Sequence, residues 1–230
     1  MKTIGLLGGM TCESSCEYYR LINEITRSKL GGMHNAHSVM ISVDFAVIEP
    51  LMEEGKWDEI MEILVECAQN VEKAGADFLV LCTNTMHKLV DEMQIHIEIP
   101  ILNIIDAAAE RIKEQELHTI GLLGTRFTME ENFYIDRLKE NHDLEVLIPG
   151  REEREVIHRI IANELSIGKT REPSKKIFWD IMNRLVDQGA QGIILGCTEI
   201  PLLVNEKEGN IPLFDTTLIH ATAAVEYALA

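Results

Sequence analysis

The chain repeats itself, and the repeat limits the folds open to it. Thr3-Ile4-Gly5-Leu6-Leu7-Gly8-Gly9 returns 116 residues later as Thr119-Ile120-Gly121-Leu122-Leu123-Gly124-Thr125. Gly75-Ala76 returns as Gly189-Ala190 at an offset of 114, and Ile99-Pro100-Ile101 as Ile211-Pro212-Leu213 at an offset of 112. Three matches in one order at a nearly constant offset read as an internal duplication. Short apolar runs bounded by glycine alternate with helical spacing, so each half reads as a mostly parallel sheet flanked by helices with right-handed crossovers. The expected fold is therefore α/β, with two pseudo-symmetric lobes and the site in a cleft between them. The lobes are expected at 1–102 plus 213–230 and at 103–212, with crossings near 100–116 and 203–213.

Along the chain, Thr3 to Met10 reads as a strand and glycine turn, 14–30 as a helix stopped by Gly31-Gly32, and Val39 to Phe45 as a second strand. Trp57 to Ala74 reads as a helix, and Ala76 to Leu81 as a third strand whose polar exit is Cys82-Thr83-Asn84-Thr85-Met86-His87. A helix is expected next, then a short strand at Ile99 to Ile104. In the second half, Ile193-Ile194-Leu195 is an apolar run suited to a parallel strand covered on both faces. It exits through Gly196-Cys197-Thr198-Glu199 into an expected helix, with Thr198 as its cap and Pro201 in its first turn. A last helix is expected from Thr216 to Ala230.

Bulk properties exclude several classes. With 46% hydrophobic and 26% charged residues among 230, the chain can bury a core and is not disordered. Its formal net charge of −17 argues against nucleic acid or an anionic membrane as partner, though not against a small anion met by N–H groups and a basic side chain. Five cysteines without Cys-x-x-Cys spacing, and a first strand starting almost at Met1, read as a cytoplasmic protein without a signal peptide. No apolar run reaches the roughly 18 residues of a membrane span. Gly168-Lys169-Thr170 is not a phosphate loop, because Asn163 stands where the first glycine belongs, and Gly5 to Gly9 lacks dinucleotide spacing. Cys12 and Cys16 share a helix face without partners to complete a zinc site. Glu152 to Glu155 reads as a solvated helix start. No cofactor or metal is expected.

The duplication aligns the chain with itself at its chemically richest points. At the offset of 114, Thr83 corresponds to Cys197, Asn84 to Thr198 and Thr85 to Glu199. Strand exits are where open α/β sheets place ligands. A cysteine there, near the N–H groups of a helix start, is expected to have a lowered pKa. Facing lobes would set Thr83 and Cys197 on opposite sides of a bound carbon acid, as inversion of a stereocentre requires. Cys82 is one residue out of phase and is expected to be buried. Thr83, Asn84, Thr85 and Thr198 also read as ordinary helix caps.

These motifs resemble the aspartate/glutamate racemase family across essentially the whole chain. The resemblance rests on Gly5-Leu6-Leu7-Gly8-Gly9-Met10, Cys82 to His87, Gly121 to Thr125 and Gly196-Cys197-Thr198-Glu199. It implies cofactor-independent racemisation, with one base from each lobe. The family pattern has two cysteines; Thr83 replaces the first, which looks like a subgroup with a Thr/Cys pair acting on L-aspartate and L-glutamate. The resemblance implies that Cys197 takes the α-proton of the L-enantiomer and that the Thr83 side returns one. It also implies substrate contacts at Met10 and Thr125, with Thr128 a weaker candidate, and a homodimer. Asn84, Thr85 and Thr198 stand where helix-start N–H groups also bind a substrate carboxylate, and Glu199 reads as a substrate contact, as orienting a neighbouring group or as an acid at a helix N-terminus. Lys169, and after it Arg126, are the candidates to meet the side-chain carboxylate; where relatives often carry arginine after the second strand, this chain reads Ile48-Glu49-Pro50. His87 is expected to pack or cap. Two other readings stand beside this one. A related isomerase or decarboxylase of a small dicarboxylate would turn over maleate or arylmalonates, and a two-lobed sensor would bind an acidic metabolite without α-proton exchange.

Overall fold

The computed structural model describes residues 1–230, the side chain of Lys207 excepted. The strands are β1 Ile4–Gly8, β2 Ser38–Ser42, β3 Phe78–Leu81, β4 Ile101–Leu102, β5 Thr119–Gly124, β6 Glu145–Leu147, β7 Gly192–Gly196 and β8 Leu213–Asp215. The helices are α1 Cys12–Leu30, α2 Phe45–Glu53, α3 Trp57–Lys73, α4 Val90–Met93, α5 Ile104–Lys113, α6 Arg126–Glu130, α7 Asn132–His142, α8 Arg151–Asn163, α9 Glu172–Asp187 and α10 Thr216–Leu229. Two four-stranded parallel sheets form, in the orders β2-β1-β3-β4 and β6-β5-β7-β8. The two orders are the same order, and the register agrees. Gly5 pairs with Leu79 as Gly121 pairs with Ile193, and Leu79 pairs with Ile101 as Ile193 pairs with Leu213. The sequence offsets of 116, 114 and 112 thus recur residue for residue in the ladders.

The chain divides into one unit of Met1–Asn103 with His220–Ala230 and a second of Ile104–Ile219. The return to the first unit falls within α10, later than the expected position 213. The physical reason is the ladder: β8 pairs with β7, so its residues stay with the second sheet.

Each sheet is covered on both faces, and strand parity sorts the side chains. Leu79 and Leu81 join the core formed with α2 and α3, including Ile48, Ile60, Leu64 and Val71. Phe78, Val80 and Cys82 point the other way, into the core with Tyr18 and Ile22 of α1 and Ala224 and Val225 of α10. In the second unit Ile193, Leu195 and Cys197 share a core with α8 and α9, while Ile194 packs with Ile105, Tyr134 and Phe214. Each fully buried aliphatic side chain contributes about 1.5–3 kcal/mol, so dozens of them hold the sheets. Close approach of a helix is built into equivalent glycines. A Cβ at Gly5 would lie 2.4 Å from Val71 Cγ1 of α3, and one at Gly121 would lie 2.5 Å from Ile193 Cδ1 and 3.0 Å from Leu185 Cδ1 of α9.

Several expectations are corrected. The second strand ends at Ser42, because Asp44 accepts the Ala46 N–H at 3.1 Å and starts α2 at Phe45. The expected strand at Ile99 to Ile104 shortens to Ile101–Leu102, because Asn103 already leads into α5. The polar exits do not enter long helices. Thr85–Leu89 is a 3-10 segment passing into the single turn of α4, and Ile200–Leu202 is one 3-10 turn. The chain from β7 must reach β8 at Leu213, and it does so through short 3-10 turns. At the Glu152 to Glu155 run, Gly150 donates its N–H to Glu153 Oε2 at 3.0 Å, which is the helix start anticipated.

A buried histidine ties three elements of the first unit. His220 on α10 is fully buried. Its Nε2 lies 2.9 Å from the Leu102 carbonyl and its Nδ1 lies 2.8 Å from the Tyr18 hydroxyl. Burial lowers its pKa to about 4. The carbonyl only accepts, so Nε2 carries the proton and the Tyr18 hydroxyl donates to Nδ1. In the unfolded chain the ring titrates near 6.5. Above that pH both states are neutral; between about 6.5 and about 4 the unfolded state binds a proton that the fold refuses. Stability should therefore fall across this window by roughly 3 kcal/mol from this group. Urea midpoints measured from pH 7 to pH 4 should drop more steeply for the wild type than for His220→Gln. Parallel curves would show that His220 does not carry this acid sensitivity.

Candidate active site

The two polar exits occupy equivalent places. Parity carries Leu79, Leu81 and Thr83 onto Ile193, Leu195 and Cys197, and it leaves Cys82 out of phase. Cys82 is wholly buried and its thiol pKa is pushed up by that burial alone. The strand exit is anchored from α1. Thr11 caps the helix by accepting the Ser14 N–H at 3.2 Å, and the Ser14 hydroxyl donates to the Cys82 carbonyl at 2.6 Å. Ser15 accepts the Gly9 N–H at 2.8 Å and fixes the turn that bears Met10. Met10 itself is buried among Ile48, Met86 and their neighbours. None of Thr11, Ser14 and Ser15 stood out in the sequence, although a threonine before a serine-rich helix start was a readable signal.

Thr83 is partly exposed, and its carbonyl lies 2.8 Å from His87 Nδ1. Asn84 and Thr85 are buried at the start of the 3-10 segment, and Asn84, at its N-cap position, makes no side-chain capping hydrogen bond. His87 is also buried, with its ring edge-on to His220 at 5.7 Å between centroids.

In the second unit, a carboxylate reaches the thiol. Cys197 Sγ donates to Glu199 Oε2 at 2.9 Å, and the Thr198 hydroxyl donates to the same oxygen at 2.8 Å. Thr198 is thus an orienting group for Glu199 and not the cap expected from its position. Both Cys197 (7% exposed) and Glu199 (5%) are buried, which makes the pairing strong in effect. The thiol pKa is raised well above its ordinary 9.0, first by burial, then by the charge of Glu199 and its hydrogen bond. The N–H groups of Thr198 and Glu199 do pull it down, as anticipated from the sequence, but they are the weaker influence. The expected lowered pKa is therefore corrected: Cys197 rests as a protonated thiol.

Thr125 behaves as a cap. It accepts the Thr128 N–H at 3.3 Å at the start of α6, and its hydroxyl lies 3.1 Å from that of Thr128, which is fully buried. Arg126 is exposed, with its guanidinium 5.1 Å from the centre of the Phe127 ring. Lys169 is exposed too, on the loop between α8 and α9, where its N–H donates to the Glu164 carbonyl at 2.9 Å. Ile48, which opens the Ile48-Glu49-Pro50 stretch, is core. Among the described residues no group of three or more His, Cys, Asp or Glu is placed to hold a metal ion, and no helix is long and apolar enough to cross a membrane.

Comparison with known proteins gives this geometry a context. The family model described as Asp/Glu/Hydantoin racemase matches residues 7–224. The chain is 25% identical to the broad specificity amino-acid racemase RacX of Bacillus subtilis, over 99% of this chain and 98% of that one. It is 47% identical to a candidate Asp/Glu racemase from Yersinia pestis of known structure, with a TM-score of 0.93 and all of both chains covered. An aspartate racemase homologue from Pyrococcus horikoshii is 35% identical, with a TM-score of 0.87 over the whole of both chains.

The thiol–carboxylate pair can be tested by alkylation. The thiolate, not the thiol, displaces iodide from iodoacetamide, so modification of Cys197, followed at its own peptide by mass spectrometry, should be slow at pH 7 and still rising beyond pH 9. Glu199→Gln removes the adjacent charge and should speed modification at pH 8 several-fold, while burial keeps the pKa above that of a free thiol. Fast modification of the wild type at pH 7, or no response to Glu199→Gln, would contradict the pairing.

Proposed function

The chain belongs to the Asp/Glu/hydantoin racemase family, and on that premise we propose that it racemises acidic amino acids, aspartate and glutamate, without a cofactor. Cys197 takes the α-proton of the L-enantiomer, and a proton returns from the Thr83 side to give the D-enantiomer. The observation that carries this reading is the buried Sγ–H to Glu199 Oε2 hydrogen bond at 2.9 Å.

The chemistry needs a base able to take a weakly acidic carbon-bound proton. A thiol held neutral at rest is no base, but Glu199 lies within reach to take its proton. The thiolate so formed in a dry site has a raised proton affinity, which narrows the gap to the α-carbon acid. In abstraction, the Cα–H bond breaks, an S–H bond forms, and the electron pair moves onto Cα and its carboxylate. Backbone N–H groups at the strand exits are the donors proposed to stabilise that charge. Delivery of a proton to Cα from the opposite side breaks an O–H bond there and completes inversion; solvent returns a proton to that oxygen and takes the one held by Glu199. A threonine hydroxyl has a far higher pKa than a thiol, so the Thr83 side is proposed to act through its hydroxyl or a water that it holds.

The remaining assignments rest on sequence position and resemblance. Met10, Asn84, Thr85, Thr125 and Thr198 are proposed to line the substrate, and Lys169 to meet the distal carboxylate with Arg126 as its alternative. The acting form is proposed to be a cytoplasmic homodimer.

Each enantiomer of aspartate, glutamate and several neutral amino acids, incubated with the protein in deuterated water, tests the proposal. L-aspartate and L-glutamate should gain an α-deuteron and lose optical rotation together, and Cys197→Ser should slow this by several orders of magnitude without unfolding. Deuterium uptake by none of them, or full activity in Cys197→Ser, would rule the mechanism out.

A further inference from the structure

Thr83 is held from behind by a buried histidine pair that the proposed chemistry does not use. His87 Nδ1 lies 2.8 Å from the Thr83 carbonyl. That carbonyl only accepts, so Nδ1 carries the proton and its tautomer is fixed. The His87 ring stands edge-on to His220, 5.7 Å between centroids at 70°. His220 is in turn locked by its Nε2–H donated to the Leu102 carbonyl at 2.9 Å and by the Tyr18 hydroxyl at 2.8 Å. Leu102 pairs with Val80 across β3 and β4, which returns the chain of contacts to the strand whose exit carries Thr83. The Thr83 carbonyl is therefore clamped against α1, α10 and β4 at once. All of these rings are buried, so water does not compete for the bonds.

At the equivalent place in the second unit the residue is Pro201, whose ring carries no hydrogen-bond donor. There Cys197 is held by Glu199 instead. The two exits thus differ in their supports as well as in their reacting groups.

We propose that His87, backed by His220 and Tyr18, is a positioning residue for Thr83, holding its carbonyl so that the Thr83 side meets the D-face of the α-carbon. This rests on the two-sided reading above. A weak base gains most from fixed geometry, since displacement of about 1 Å costs up to about a hundredfold in rate. His87 acts on one half of the reaction, the half in which the proton is exchanged on the Thr83 side.

The test compares primary isotope effects with α-deuterated L- and D-substrates. In His87→Phe the ring and its edge contact stay while the donor is lost. Racemisation should fall between about ten- and a hundredfold, the isotope effect from the D-enantiomer should rise, and that from the L-enantiomer should shrink. His87→Asn places an amide N–H where Nδ1 stands and should recover much of the loss. A merely structural histidine would lower both directions with the ratio of isotope effects unchanged, tracking the melting temperature; that result would overturn the inference. Thr83→Ala is the control on the reading beneath it. Full activity in Thr83→Ala would sink the two-sided mechanism, whereas an inactive Thr83→Ala beside an unchanged ratio in His87→Phe would sink only the role of His87.

Discussion

One proton between Cys197 and Glu199 is the constraint that the rest of the second unit serves. Both groups are buried, and two negative charges at hydrogen-bond distance in a dry site do not coexist at rest. The pair therefore holds a single proton, which sits on sulfur while the carboxylate accepts it. The Thr198 hydroxyl on the same carboxylate oxygen, and the N–H groups of Thr198 and Glu199 at the sulfur, keep that arrangement in place. The raised thiol pKa is the consequence. In a racemase it serves a purpose, because a base that is hard to form is also one with high affinity for the proton of a weak carbon acid.

The duplicated frame explains how two unlike groups come to equivalent places. Strand order, register and side-chain parity are the same in both sheets, so Thr83 and Cys197 stand at the same point of the same motif. What diverged is the three or four residues after the strand. One unit placed a thiol beside an acid there. The other placed hydroxyls and an amide, with a histidine reaching back to the Thr83 carbonyl. Divergence at strand exits leaves the cores intact, since Leu79, Leu81, Ile193 and Leu195 pack as before.

Much of this was legible in the sequence. Apolar runs beside glycines marked β1, β3, β5 and β7, period-2 logic put Cys82 in the core, and the 114-residue offset matched Cys197 to Thr83. Other features depend on groups far apart in the chain. The Tyr18–His220 bond joins residues 202 positions apart, and the Ser14 bond to the Cys82 carbonyl spans 68. The thiol pKa was misread because N–H groups are evident from a motif, whereas burial and the rotamer of Glu199 are not. The division between units was placed too early because β8 looks like a linker until its ladder with β7 is seen. The helix after each polar exit was overcalled because capping residues look the same before a 3-10 turn as before an α-helix.

Cys197 rests as a thiol bonded to Glu199. The infrared S–H stretch reports this directly, in the difference spectrum of the wild type minus Cys197→Ala at neutral pH. The wild type should show an S–H band displaced by strong hydrogen bonding, moving toward the position of a weakly bonded thiol in Glu199→Gln. Absence of an S–H band from Cys197 at neutral pH would mean that the thiolate already exists at rest, and it would contradict the account.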